Sequence, residues 1–167
     1  IAAYERAVKV DRDLSQGYEK LGELYVKHFD QIVNQQSVTP EQLESAKESL
    51  EKAILAYEVL GRLATPENSS HYNALLMESR ARLGSLYVEL RKEEEAVEVL
   101  QQVLDTDSEN VDANYWIGIA YQKLGSFESA TPYLRKAITL APHRVVGHYF
   151  ALEQFKEVID LLQDVLR

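Results

Sequence analysis

The chain has 167 residues, enough for one ordinary domain or a few stacked repeats. Hydrophobic residues make up 46% and charged residues 27%, which supports a folded core, and a net charge of −9 weighs against nucleic-acid phosphates and anionic membrane surfaces as partners. There is no cysteine, so disulfides, thiolate nucleophiles and cysteine zinc sites are excluded.

Residues 1–14 carry Tyr4, Ala7 and Val8 at helical spacing and read as the second helix of a hairpin whose first helix is missing. The start at Ile1, inside that pattern and without an initiator Met or signal segment, points to a piece of a longer protein with any address signal elsewhere. Leu21-Gly22 followed by Tyr25 opens a long hairpin of about residues 15–36 and 40–64, with Ala46, Leu50 and Ala53 on its second helix. Thr39-Pro40 with Gln42 is a helix start: a capping Thr, a Pro at the first position and a Gln three residues after the cap. A break at Thr65-Pro66-Glu67-Asn68 then leads into a long helix at about 70–90. Asn68-Ser69-Ser70 fits an N-glycosylation triplet, although Ser69 or Ser70 reads better as that helix's cap.

Residues 77–110 carry Leu83, Gly84, Tyr87, Ala96 and Leu100, and residues 111–144 answer with Ile117, Gly118, Tyr121, Ala130 and Leu134, each 34 residues later. Gly125 permits a left-handed turn and Pro142 stops a helix, where the preceding unit has Arg91 and Ser108. Residues 145–167 echo the pattern through Tyr149, Leu152, Phe155, Val158, Leu162 and Val165. They read as a degenerate, shortened repeat or as one capping helix.

A fixed period of this length with small residues in matching slots marks stacked helical hairpins. Gly22 to Gly84 is 62 residues, 28 more than one period of 34, with 12 of the extra residues before Ala53 and 16 after it. If helices absorb each insertion evenly, the two hairpin ends project by roughly 9 and 12 Å. Such overhangs are candidate docking features, or they only lengthen the internal packing.

Trp116, Gly118, Tyr121, Gly125, Phe127, Ala130, Leu134, Ala137 and Pro142 together resemble the tetratricopeptide repeat. The family pattern would put its Trp at Asn114; here it stands two residues later. The expected architecture is all-α, a right-handed superhelix (α-solenoid) of antiparallel helical hairpins. Its parts are a truncated repeat at 1–14, an enlarged repeat at 15–76, regular repeats at 77–110 and 111–144, and a degenerate end at 145–167.

Nothing in the sequence points to catalysis. His28, His71, His143 and His148 are scattered, and none forms a metal-binding His-Glu-x-x-His pair. Glu93-Glu94-Glu95 reads as a solvated helix face, no serine has a partnered histidine at recognisable spacing, and no glycine-rich phosphate loop follows a strand. The expectation is no enzyme activity, no cofactor and no metal. No apolar run reaches the roughly 18 residues that span a bilayer, so a soluble chain without direct membrane insertion is expected, its compartment not legible.

The resemblance implies a protein-interaction scaffold, with first helices lining a concave groove that takes a partner peptide or helix. Mapped onto this sequence, the groove comprises Glu19, Glu23, Val26 and Lys27, then Glu78, Arg82, Ser85 and Glu89, then Asp112, Tyr115, Ile119, Gln122 and Lys123. The family's clamp for acidic chaperone tails needs cations where Glu19, Glu23, Asp112 and Trp116 stand, so that reading is rejected. Tyr115, Ile119 and Trp116 beside Arg82 would make an apolar patch of the kind that forms binding hot spots, unless Tyr115 and Ile119 are covered as ordinary core. Two other roles are a regulatory or targeting domain of a larger enzyme, motivated by the start at Ile1, and homo-oligomer formation through the apolar tail Val158, Ile159, Leu161, Leu162 and Val165.

Overall fold

A computed structural model describes residues 1–145 and is all-α, with no strand among the described residues. Its helices are α1 (Ala2–Val10), α2 (Ser15–Val33), α3 (Pro40–Leu63), α4 (Pro66–Glu89), α5 (Glu93–Thr106), α6 (Val111–Lys123) and α7 (Phe127–Leu140). The chain divides into two compact units, one spanning Ile1–Leu86 and the other beginning at Tyr87, with α4 running through the division. The sequence-expected terminal unit and its apolar tail, from residue 146 on, lie outside the described residues.

The first unit is built on the α2–α3 hairpin. Ala46, Leu50 and Ala53 are fully buried along one stripe of α3, at the helical spacing that the sequence shows. Opposite them, Gly22 on α2 leaves room for the Tyr57 ring: a Cβ at Gly22 would lie 2.4 Å from Tyr57 Cε1. A part-buried polar contact across this hairpin joins His28 Nδ1 and Ser49 Oγ at 2.8 Å, so His28 is a packed histidine. Helix α1 packs on α2, where the Tyr25 hydroxyl donates to the Glu5 carboxylate.

Two Thr-Pro-Glu starts set the long helices. At α3 the expected capping box is present, with Gln42 N donating to Thr39 Oγ1 and Thr39 N donating to Gln42 Oε1 at 2.8 Å. At α4 the same signal acts again. The helix begins at Pro66, and the Thr65 carbonyl accepts from Asn68 N at 3.2 Å and Ser69 N at 3.0 Å. The break expected over 65–68 therefore shrinks to Ala64 and Thr65, and Ser69 and Ser70 lie inside α4 and do not cap it. The physical reason is Pro66, whose fixed φ and missing N–H suit the first helical position.

The insertions are consequently not shared evenly. Beyond Gly22, α2 runs eleven residues where α6 runs five beyond Gly118, whereas α3 begins only three residues earlier, relative to Ala53, than α7 does relative to Ala137. At the other end α4 takes the largest share, starting eighteen residues before Gly84 where α6 starts seven before Gly118. Arg80 Nη2 holds α4 against α3 through Glu58 Oε1 at 2.8 Å.

The second unit repeats the same contact with different residues. A Cβ on Gly118 of α6 would sit 2.4 Å from Leu134 Cγ and 3.3 Å from the Leu134 backbone N on α7. Its two left-handed turns close as Schellman motifs. Gly125 (φ 74°) lets Ser126 N reach the Tyr121 carbonyl at 2.9 Å, and Arg91 (φ 58°) lets Lys92 N reach the Tyr87 carbonyl at 2.8 Å. The left-handed turn thus persists without its glycine at Arg91, because the hydrogen bonds it closes outweigh the steric cost. Asn114, at the family's Trp position, is buried and donates through Nδ2 to the carbonyls of Ser108 and Asn110, tying down the turn ahead of α6.

Three expectations follow. Gly118→Ala should lower stability by roughly 1–2 kcal/mol, overpacking against Leu134 exceeding the helix-propensity gain. Gly61→Ala, whose Cβ would meet only Asn73 Oδ1 at 3.9 Å, should raise it by about 0.5–1 kcal/mol in urea denaturation. Arg91→Gly should stabilise by about 0.5–1 kcal/mol, since it removes the left-handed penalty of an L side chain at the cost of some unfolded-state entropy; a shifted urea midpoint with unchanged slope is the readout.

Candidate functional site

In the first unit, Glu19, Glu23, Lys27 and Asp30 recur every three or four residues and so share one side of α2. Glu78, Arg82 and Ser85 do the same on α4. Arg82 joins the two stripes: Nη1 donates to Asp30 Oδ1 at 2.9 Å, and Nη2 donates to Glu78 Oε1 at 2.6 Å. Its guanidinium also lies 6.0 Å from the Phe29 ring centroid, and Ser85 Oγ donates to the Arg82 carbonyl at 2.8 Å. Glu19, Glu23, Arg82 and Glu78 are half-buried or exposed, so the face is open to solvent.

Tyr57 of α3 comes to this face from the core. Only 2% of it is exposed, yet its hydroxyl lies over Gly22 of α2, one residue from Glu23 and three from Glu19. Among the described residues the hydroxyl has no hydrogen-bond partner. Burial first, and then the carboxylates of Glu23 and Glu78, push its pKa up to about 12; Glu19 adds to the rise and Arg82 opposes it. Three carboxylates against one guanidinium make a negative local field. On the rim, Glu23 binds Lys20 Nζ at 2.6 Å and raises the Lys20 pKa.

The second unit departs from expectation. Tyr115 is 1% exposed and Ile119 6% exposed, so neither is a surface contact, and the apolar patch expected there is core. The reason is legible in α6, which is apolar nearly all round: Ala113, Asn114, Tyr115, Ile117, Gly118, Ile119 and Ala120 are all buried, as befits a helix embedded on several sides. Trp116 is half-buried and packs edge-on against Tyr115, ring centroids 5.0 Å apart. Gln122 stays half-buried, and exposed Lys123 directs Nζ to the Val88 carbonyl at 3.4 Å. Asp112 is held by Arg144 at 2.6 Å.

Sequence reasoning missed Asp30 and Tyr57. Asp30 falls seven residues after Glu23 on the same stripe, and Tyr57 falls four after Ala53, so periodicity carried both signals. Among the described residues no three His, Asp or Glu side chains gather as a metal site, and no helix is long and apolar enough to cross a membrane.

Residues 84–125 match a family model described as TPR repeat, and residues 111–144 match a second described as tetratricopeptide repeat. Residues 84–144 are therefore tetratricopeptide repeats. Outer envelope protein 61 of Arabidopsis thaliana is 33% identical over 97 residues, 58% of this chain but only 16% of that protein's length. The crystal structure of MamA superposes with a TM-score of 0.53 at 20% identity, covering 99% of this chain and 84% of that one, and shares the all-α fold. A structure described as YrrB, a TPR protein with an unusual peptide-binding site, gives a TM-score of 0.41 at 24% identity, covering 90% and 81%. Repeats of this kind stack into extended surfaces suited to holding other proteins.

The raised Tyr57 pKa has a consequence for stability. The phenolate is disfavoured in the folded chain, so the contribution is fully present below the ordinary tyrosine pKa near 10 and is lost as pH rises from there towards 12. Between pH 8 and pH 11 the unmodified chain should therefore lose about 1 kcal/mol more than Tyr57→Phe, measured by urea denaturation.

Proposed function

We propose that the chain is a non-catalytic scaffold whose α2–α4 face takes a basic peptide or helix of another protein. Tyr57 carries this reading: a buried side chain turns an unpartnered hydroxyl towards Glu19, Glu23 and Glu78, in a field that favours cations. A lysine or arginine of the partner would find carboxylates there, with the hydroxyl as an additional acceptor. An acidic tail would meet like charge instead, so the chaperone-type ligand is disfavoured on the same grounds. Arg82 is the positioning element, since its two ion pairs hold Asp30 and Glu78 in place across α2 and α4.

The matched relative is much longer than this chain, which supports a second reading: the repeats act as a regulatory or targeting part of a larger protein. Docking at the same face would serve that role as well.

The test is affinity capture from a native lysate, read by mass spectrometry, with the unmodified chain and Glu19→Lys/Glu23→Lys in parallel. Both side chains are on the surface, so the variant should keep its circular dichroism spectrum. A protein held by the unmodified chain and lost by the variant is the expected result; equal capture by both would move the binding site off this face.

A further inference from the structure

The opposite side of α2 borders a second feature, which the acidic face does not use. Tyr18, Leu21 and Tyr25 lie nearly half a helical turn around α2 from Glu19 and Glu23, and they face a stripe of α3 made by Lys52, Leu55, Val59 and Arg62. Between them runs an open, largely apolar groove of about 210 Å³. Small-molecule sites start near 300 Å³, so this groove is sized for side chains presented by a partner's backbone. Leu55 stands 61% exposed in it, which is unusual for a large apolar side chain in the middle of a helix.

The groove's ends are cationic in an acidic chain. The Lys52 ammonium lies 5.6 Å from the Tyr25 ring centroid, and Arg62 lines the other end. Among the described residues neither has a carboxylate partner. Glu58, which is one helical turn from Arg62, is taken by Arg80 at 2.8 Å. The spacing of 52, 55, 59 and 62 is that of a helix-docking stripe, and its two charges are separated by ten residues, about 15 Å along α3.

We propose that this groove docks an amphipathic helix of a partner protein, with apolar side chains at i, i+3, i+4 and i+7 and a carboxylate beyond each end of that stripe. Leucine-sized side chains would cover Leu55 and Val59, while the flanking acids meet Lys52 and Arg62. Charge complementarity sets the choice. Unpaired cations bracketing an apolar strip favour an acidic helix and repel a basic one, the reverse of the preference at the α2–α4 face. The chain would then hold two partners of opposite charge on opposite sides of one helix.

The probe is a synthetic helical peptide with leucines at that spacing and a glutamate beyond each end, compared with its lysine-flanked counterpart by fluorescence anisotropy. The glutamate peptide should bind the unmodified chain at least about tenfold more tightly than the lysine peptide, and Lys52→Glu/Arg62→Glu should invert the order. Leu55→Glu should abolish binding of the glutamate peptide with the circular dichroism spectrum unchanged, since the side chain is already mostly exposed. Glu19→Lys/Glu23→Lys should leave this binding intact, so failure here is separable from failure at the acidic face. Equal affinity for the two peptides, or no binding of either at millimolar concentration, would overturn the proposal. So would a concentration-dependent dimer dissolved by Leu55→Glu, which would assign the groove to a second copy of the chain.

Discussion

The α2–α3 and α6–α7 hairpins depend on a first helix that offers no side chain where the second helix crosses it. At Gly22 the space belongs to the Tyr57 ring and at Gly118 to Leu134, with distances that leave no room for a methyl group. Close approach of this kind brings backbones together and lets the buried stripes of Ala46, Leu50 and Ala53, or Ala130, Leu134 and Ala137, pack against the facing helix. The stabilising term is apolar burial; the glycine decides whether the geometry that permits it can form. In the first unit the same contact has a second effect. Because the ring lies across Gly22, the Tyr57 hydroxyl is held within the electrostatic reach of Glu23, Glu78 and Glu19 of the docking face. Core packing and surface chemistry are therefore linked through one residue pair.

Helix α2 separates two electrostatic environments. On one side lie Glu19, Glu23, Lys27 and Asp30, with Arg82 of α4 pairing Asp30 and Glu78. On the other, Lys52 and Arg62 bracket an apolar groove. The ion pairs themselves contribute little to stability, because partly exposed pairs are each worth about 0.2–1 kcal/mol. Their importance is positional: Arg82 fixes two carboxylates that would otherwise move with their side chains, and Arg80 withdraws Glu58 from the neighbourhood of Arg62.

Much of this was legible from spacing alone. The 34-residue period singled out Gly118 and Leu134 as packing slots, and Thr39-Pro40-Glu41-Gln42 located the start of α3, because both depend on local residue types at fixed separations. The start of α4 was misjudged even though Thr65-Pro66-Glu67 repeats that signal; Asn68 and the serines after it competed as turn and cap residues. Arg91 weakened a turn in sequence that the hydrogen bond from Lys92 N to the Tyr87 carbonyl preserves in the fold. The site was harder to read. Helical periodicity placed Glu19, Glu23, Glu78 and Arg82 on shared stripes, but it could not say that α6 is buried on the side carrying Tyr115 and Ile119. Nor could it show that a core tyrosine of the second helix lies within reach of the first helix's carboxylates, since that depends on which side chain fills the space above Gly22.

The most direct test of the central contact is a double-mutant cycle on stability between Gly22→Ala and Tyr57→Leu. If the ring above Gly22 sets the hairpin, the added methyl should cost roughly 1–3 kcal/mol beside tyrosine and close to nothing beside the shorter leucine, a coupling of at least about 1 kcal/mol. Equal costs in the two backgrounds would mean that the helices do not meet through this pair, and would contradict the route by which Tyr57 reaches the docking face.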